Sequence, residues 1–291
     1  MKKKINILIT GAGSPGGPGI IESLIKESNL NVFICDCNNE ASGKYLLPEK
    51  FFLVPKADDD NFIKFITDIC NQNKISIIFP LVTKELFKFS EFKEKFLKNN
   101  IKIIVADKHS LNIVNDKGLL YEYLKNKGVK VPKFFLVENE EDLINKVFEL
   151  GYPEIPVVIK PRVSNGSRGV KILDENQDRL KLFFDEKPNS IYTNLSEMKY
   201  IIKGKKIPKL VLSEFLPGEE ITIDTLILKN KLQDIFIRTR DIMRSGISIK
   251  GKFIEDENIF RYIESIIDNI PGLEGPIGFQ LKKSSKDDFL L

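Results

Sequence analysis

Short apolar runs alternate with amphipathic stretches through the first third of the chain. Ile5-Asn6-Ile7-Leu8-Ile9-Thr10 reads as a buried parallel strand, and a helical pattern follows through Ile20, Ile21, Leu24 and Ile25. Val32-Phe33-Ile34-Cys35 is the next strand, with Asp36 at its end. Phe52-Leu53-Val54 reads as a short strand, 61–71 as a helix, and Ile75-Ser76-Ile77-Ile78-Phe79-Pro80 as a strand. Residues 86–98 read as a helix and Ile101-Lys102-Ile103-Ile104-Val105 as a further strand. This alternation predicts an α/β fold, a doubly wound parallel sheet over residues 1 to about 106. Such sheets take ligands at the carboxyl ends of their strands, which here carry 11–17, Asp36 and 80–85.

The pattern continues with a helix through Leu119, Leu120, Tyr123 and Leu124, with Gly128 placed for a left-handed cap. Residues 140–150 are amphipathic, with Leu143, Ile144, Val147 and Leu150 on one stripe. A strand end and a helix are expected in 171–186, and the polar stretch 193–206 reads as an insertion. Residues 210–220 read as strand, turn and acidic start, and 221–228 and 234–238 as strands. A helix is expected over about 256–269, a strand over 276–281, and a further strand begins at Phe289.

The most chemically loaded stretch is Val157-Val158-Ile159-Lys160-Pro161-Arg162-Val163-Ser164-Asn165-Gly166-Ser167-Arg168-Gly169-Val170. An apolar strand ends in a lysine, and a small polar loop leads into a second strand. A hairpin of this kind can fold over a polyphosphate. Its lysine supplies a point charge, and Gly166 and Gly169 allow backbone N–H groups to come close. An ordinary basic, glycine-rich turn fits the stretch equally well.

Composition narrows the field. The chain has 291 residues, which suggests two domains, or one large domain with a lid. A 42% hydrophobic, 30% charged composition is that of a globular protein. The net charge of +4 is scattered without a basic stripe, so no nucleic-acid partner is expected. Cys35 and Cys37 stand two apart on an apparent strand and Cys70 stands alone, so all three are expected to be core or semi-buried thiols. His109 is the only histidine, which disfavours His-dependent triads and multi-His metal sites. No apolar run has the length of a membrane span, so no membrane partner is expected, and a reduced, cytoplasmic protein is expected. Gly11, Gly13 and Gly16 satisfy G-x-G-x-x-G, with Asp36 where a dinucleotide fold places its ribose ligand. Pro15 and Pro18, however, stand where helix-turn N–H groups would face a pyrophosphate. Proline lacks that donor, so a tight βα turn without NAD is favoured.

Several features occur in one order. They are Asp116-Lys117 before a helix, Gly128-Val129-x-Val131-Pro132, Val158-Ile159-Lys160-Pro161 with its small loop, Ser213-Glu214-Phe215-Leu216-Pro217-Gly218-x-Glu220, and a strand ending at Gln280. Over nearly the whole chain this order resembles the ATP-grasp superfamily. The branch it looks most like holds the carbamoyl phosphate synthetase large subunit and stand-alone carboxylate–amine ligases.

The resemblance implies a Rossmann-like domain at 1–106 that binds no NAD, then an ATP-grasp domain at 107–291. The latter would have a lid subdomain at about 130–212 and an incomplete C-terminal subdomain at about 213–291. It implies ATP as the nucleotide, with Mg2+ or, as an alternative, Mn2+. A small-molecule carboxylate would be phosphorylated and then attacked by a small-molecule amine.

By the same resemblance Lys117 and Lys160 would straddle the phosphates. Ser164, Gly166, Ser167, Arg168 and Gly169 would close over them. Glu214, Phe215 and Leu216 would read adenine, and Glu220 would take the ribose hydroxyls. Gln280 matches a metal-ligand position, and Arg240 and Arg244 lie where cations for the acyl phosphate are often placed, with Lys250 a weaker candidate. Dimers are common among relatives, so a homodimer is left open. The family's metal site is normally finished by a glutamate and Asn-Pro-Arg about a dozen residues past Gln280. The sequence reaches Leu291 without that segment, and the expectation is of a truncated form lacking full metal binding and phosphoryl transfer. The rival readings are an ATP-binding module without catalysis and an NAD-dependent oxidoreductase.

Overall fold

The apolar runs of the first third become strands, and those at 5–10 and 30–36 are the most deeply buried, as the centre of a parallel sheet requires. The computed structural model describes residues 4–164, 168–185, 191–244 and 247–291, the side chains of Asp185, Arg244 and Ile247 excepted. It divides into two compact units. One runs through Leu111 and includes Gly272–Gly275, and the other holds Asn112–Pro271 and Pro276–Leu291.

The first unit comprises β1 (Ile5–Thr10), α1 (Gly17–Ile25), β2 (Leu30–Asp36), β3 (Phe51–Leu53), α2 (Phe62–Gln72), β4 (Ile77–Pro80), α3 (Thr83–Lys98) and β5 (Lys102–Ile103). The sheet order is β3-β2-β1-β4-β5, with every pair parallel. The order reverses direction at β1, whose neighbours are β2 on one side and β4 on the other. The α/β doubly wound sheet expected from the alternation is therefore present. Ile7, Ile9, Ile21, Val32 and Ile34 form part of its core, each contributing about 1.5–3 kcal/mol by leaving water.

Two details depart from the sequence pattern. The strand expected over 101–105 is only Lys102–Ile103. Cys37 is exposed while Cys35 and Cys70 are buried. The β2 alternation stops at Asp36, whose Oδ2 accepts the Gly13 N–H and whose Oδ1 accepts the Asn38 N–H, both at 2.8 Å. The chain turns there, so Cys37 does not share the buried face of Cys35.

The helix α4 (Lys108–Asn115) carries the chain onward to α5 (Lys117–Asn126). The second unit continues with β6 (Phe134–Val137), α6 (Glu140–Glu149), β7 (Val157–Pro161), β8 (Lys171–Leu173), α7 (Arg179–Asp185), β9 (Tyr192–Thr193), α8 (Leu195–Ile202) and β10 (Leu210–Glu214). These strands form a sheet in the order β6-β10-β7-β8-β9. Then come β11 (Glu220–Leu228), β12 (Lys231–Thr239), β13 (Ile242–Arg244), β14 (Ile247–Lys250), β15 (Phe253–Ile254), α9 (Glu257–Asn269), β16 (Gly275–Lys283) and β17 (Phe289–Leu290). A further sheet takes the order β15-β12-β11-β16-β17, and β13 pairs with β14.

Within the polar stretch 193–206 lies the helix α8. Asn194 caps α8 by accepting the Glu197 N–H. Leu195, Met198 and Ile202 join the core of the first of these two sheets, alongside Val157, Ile159 and Leu212. Its polar residues occupy the solvated face of an amphipathic helix, which is why the stretch reads as polar in composition.

Candidate functional site

The lysine strand is β7, and it pairs antiparallel with β8 and with β10, Lys160 lying opposite Val211. Lys117 is the first residue of α5. Asp116 caps that helix, its Oδ1 accepting the N–H groups of Gly118 at 2.9 Å and Leu119 at 3.1 Å. Two further links tie this helix start to the end of β7. The Lys117 N–H donates to the Arg162 carbonyl at 2.9 Å. Arg162 Nε donates to both Asp116 oxygens, at 2.9 and 3.1 Å. Gly118 is required by this closeness, because a Cβ there would stand 2.8 Å from Arg162 Nε. Burial alone would raise the Asp116 pKa, but the Arg162 bond and charge and the two N–H donors outweigh it and hold the carboxyl below its usual range.

Lys160, far from Lys117 in sequence, thereby comes near enough for its charge to act on Lys117. Lys117 Nζ donates to the Ser164 carbonyl at 2.9 Å and to Ser164 Oγ at 3.2 Å. Its pKa is pushed down by burial and then by the Lys160 ammonium, with Asp116 opposing. Lys160 Nζ lies 3.5 Å from the Tyr121 hydroxyl and 5.9 Å from the Tyr121 ring centroid. Both lysines are half-buried, and neither makes an ion pair among the described residues. Such a pair favours an anion.

The predicted hinge follows β10. The Glu214 side chain accepts the Lys133 N–H at 2.8 Å, and the Glu214 N–H donates to the Lys133 carbonyl, so this residue anchors the segment. Leu216 is buried and Phe215 half-buried. Gly218 pairs with Lys283 through its N–H, and a Cβ at Gly218 would meet Lys283 Cβ at 2.6 Å. The hinge is thus held against the end of β16. Glu220 opens β11, and its Oε1 accepts from Arg240 Nη1 at 2.8 Å, the arginine side chain being only 5% exposed.

A residue that the sequence reading passed over joins this group. Lys282 on β16 holds its Nζ 4.9 Å from the Phe215 ring centroid. Burial lowers its pKa, Glu220 raises it, and Lys160 lowers it further. Lys282 stands two residues beyond Gln280, on the same face of the strand, and that spacing was the signal available.

The remaining candidates are less engaged. Arg168 and Gly169 lie in a turn before β8, Gly169 at φ +74° with Pro161 closing off any side chain. Gly166, Ser167 and the Arg244 side chain lie outside the described residues. Lys250 is exposed at the end of β14. Gln280 is exposed, and among the described residues no group of three or more His, Cys, Asp or Glu could hold a metal ion. One neutral amide oxygen does not make a divalent-cation site, so the residues described do not by themselves fit Mg2+. Among the described residues no helix is long and apolar enough to cross a membrane.

Comparison with known proteins bears on this geometry. Residues 7–104 match the model of the PylC-like N-terminal domain, and residues 114–289 match that of the ATP-grasp domain. The carbamoyl phosphate synthase large chain of Pseudothermotoga lettingae is 23% identical over 266 residues, covering 90% of this chain and 22% of its own. The phosphoribosylamine–glycine ligase of Fusobacterium nucleatum is 24% identical over 162 residues, 55% of this chain and 35% of its own. The chain therefore spans only about a fifth to a third of these relatives' lengths.

Among solved structures, N5-carboxyaminoimidazole synthetase from Staphylococcus aureus complexed with ADP aligns with a TM-score of 0.69 at 17% identity, over 100% of this chain and 69% of that one. The L-amino acid ligase from Bacillus licheniformis aligns with a TM-score of 0.64 at 15% identity, over 100% of this chain and 66% of that one. These likenesses establish the shared fold. The ATP-grasp model covers more than half of the chain, in the unit that carries Lys117 and Lys160, and the chain belongs to the ATP-grasp family.

Proposed function

We propose that the chain binds ATP and serves an ATP-dependent carbon–nitrogen ligase of the carbamoyl phosphate synthetase kind. In the reaction a carboxylate oxygen attacks the γ-phosphorus and ADP leaves. The amine or ammonia then attacks the acyl carbon, and phosphate leaves with the C–O bonding pair. The observation that carries the reading is the Lys117–Lys160 pair. Burial and then the Lys160 ammonium hold the Lys117 pKa below its ordinary value, and a polyanion would relieve that repulsion. A triphosphate has the charge and length to satisfy both.

The other roles are proposed from the resemblance to the family. Lys160 holds the transferred phosphoryl group, with Arg240 and Arg244 as further cations for the acyl phosphate. Ser164, Gly166, Ser167, Arg168 and Gly169 close over the phosphates. Glu214, Phe215 and Leu216 flank the base, and Glu220 accepts the ribose hydroxyls. Positioning and charge neutralisation are the protein's main task in such transfers. In this family ATP is generally used with Mg2+, and Gln280 would add one oxygen to such an ion, but no step here depends on it. The division into a Rossmann-like domain at 1–106 and an ATP-grasp domain at 107–291, with a lid at about 130–212, belongs to the same proposal.

Calorimetric titration tests the nucleotide part. ATP binds and NAD does not, and a result the other way round returns the oxidoreductase reading. ADP release that requires a carboxylate and an amine together tests the chemistry. ATP binding without such release leaves the chain a nucleotide-binding module.

A further inference from the structure

The first unit holds a cavity of about 600 Å3 that the nucleotide site does not use. It opens where the parallel sheet ends. Gly11 follows β1, Asp36 closes β2, Pro55 comes soon after β3, and Val82 follows β4. Open α/β sheets take ligands at the carboxyl ends of the strands, where the strand order reverses. Here that point lies between β1 and β4.

Its lining is divided by charge and depth. Asp36 and Glu85 are 8% and 7% exposed, and they are the buried carboxylates of the wall. Glu85 comes from the first turn of α3 and accepts the Thr10 hydroxyl through Oε2 at 2.5 Å. Its Oε1 has no partner among the described residues. Both Asp36 oxygens accept one backbone N–H, which leaves each a further lone pair. Burial, and after it the neighbouring Asp36 charge, push the Glu85 pKa up to about 7, against the Thr10 bond. A cation seated here would return that carboxyl to its charged form. Toward solvent stand Lys56, Lys84, Lys88 and Lys108, and none of the four makes an ion pair among the described residues. Two outer acids, Asp58 and Glu91, are exposed and lie on the same wall.

We propose that this cavity binds a small primary amine that also carries an anionic group, with its ammonium seated on Glu85 and Asp36 and its anion met by the outer lysines. A neutral or singly charged molecule would leave one end of the lining unanswered. A cavity of this size accommodates a ligand of several to a few tens of heavy atoms. Resting on the ligase reading above, the ligand is the amine acceptor. Its binding, however, is a property of the first unit alone. The anion can be a carboxylate or a phosphate, since lysine meets either as a point charge.

The test is calorimetric titration of the full chain, without nucleotide, with glycine, 4-aminobutanoate, 6-aminohexanoate and 2-aminoethyl phosphate. Each is paired with the analogue lacking the amine and the analogue lacking the anion. At least one two-ended probe is expected to bind at least tenfold more tightly than both of its one-ended analogues, and its anion tells carboxylate from phosphate. Glu85→Gln is expected to weaken that probe at least tenfold. Lys88→Ala, on the partly exposed wall, is expected to shrink its advantage over the plain amine. Lys160→Met should leave the titration unchanged. Binding of a two-ended probe with no ATP turnover retains the cavity and sinks only the ligase reading. Absence of binding by every two-ended probe, equal binding of the one-ended analogues, or identical binding by Glu85→Gln and Lys88→Ala overturns the proposal.

Discussion

Arg162 Nε spans both carboxylate oxygens of Asp116, at 2.9 and 3.1 Å. Each partner stands within two residues of a lysine of the proposed phosphate clamp. Asp116 directly precedes Lys117, and Arg162 stands two residues past Lys160. The pair therefore does for position what the lysines do for charge. It fixes a helix start to a strand end, and the backbone bond from Lys117 to Arg162 repeats the constraint.

Asp116→Ala removes the helix cap, a loss of about 1 kcal/mol, and also strands a mostly buried guanidinium. Asp116→Asn keeps the capping oxygen and loses the charge. Urea unfolding should rank stability as wild type, then Asn, then Ala. Both variants should bind ATP several-fold more weakly, because Lys117 and Lys160 are no longer held together. ATP affinity unchanged in Asp116→Ala would show that the pair is only structural.

The Glu220–Arg240 contact leads to a nucleotide-specific expectation. Arg240 holds one oxygen of Glu220 and leaves the other available to accept hydroxyls. Glu220→Gln should cost about tenfold in ATP affinity, the scale of a hydrogen bond to a charged group. The same change should cost little against 2′,3′-dideoxy-ATP. An equal loss with both nucleotides would remove Glu220 from the ribose.

Lys282→Met replaces a cation that is half-buried and repelled by Lys160. The apo variant should be at least as stable as wild type in urea. Its ATP affinity should fall several-fold if the third ammonium faces the nucleotide over Phe215. A variant that binds ATP as tightly as wild type would leave Lys282 as packing against that ring alone.

Glu85 sets a pH dependence in the first unit. Its folded pKa, about 7, lies above the ordinary glutamate value of 4.5, so the folded state holds its proton longer than the unfolded state. The contribution is fully present below pH 4.5 and is lost as pH rises toward 7, a span of about 3 kcal/mol. The groups around it are Thr10 and Asp36 on the sheet, with Lys84, Lys88 and Lys108 on the cavity wall. Urea midpoints measured between pH 4.5 and 8 should fall more steeply for wild type than for Glu85→Gln. Parallel profiles would contradict the assigned pKa.

Much of this architecture was legible in residue order. The run Ile5 to Thr10 and its fellow strands announced a parallel sheet, because strands covered on both faces must be apolar throughout. Asp116 and Asp256 announced helix starts, and both cap as their side-chain chemistry predicts. Lys117 and Lys160 were singled out by motif, and the fold does bring their charges together.

What escaped were relationships that sequence spacing does not encode. Nothing in the string says that Arg162 reaches back to Asp116, or that Arg240 occupies Glu220. Lys282 was passed over, and the Phe215 ring beside it comes from another strand end. Asp36 stands where a dinucleotide fold would place a ribose ligand, and its oxygens support the Gly13 and Asn38 backbone. Glu85 fell within the 80–85 strand end where a ligand is expected, but its burial and its bond from Thr10 depend on the fold.

The account rests on two ammonium groups sharing one polyphosphate, and ATP titration of wild type, Lys117→Met and Lys160→Met by calorimetry tests it most directly, with circular dichroism confirming folded protein. Wild type should bind ATP, and each variant should bind at least tenfold more weakly, a loss of about 1.4 kcal/mol or more. Folded variants that bind ATP with wild-type affinity would contradict it.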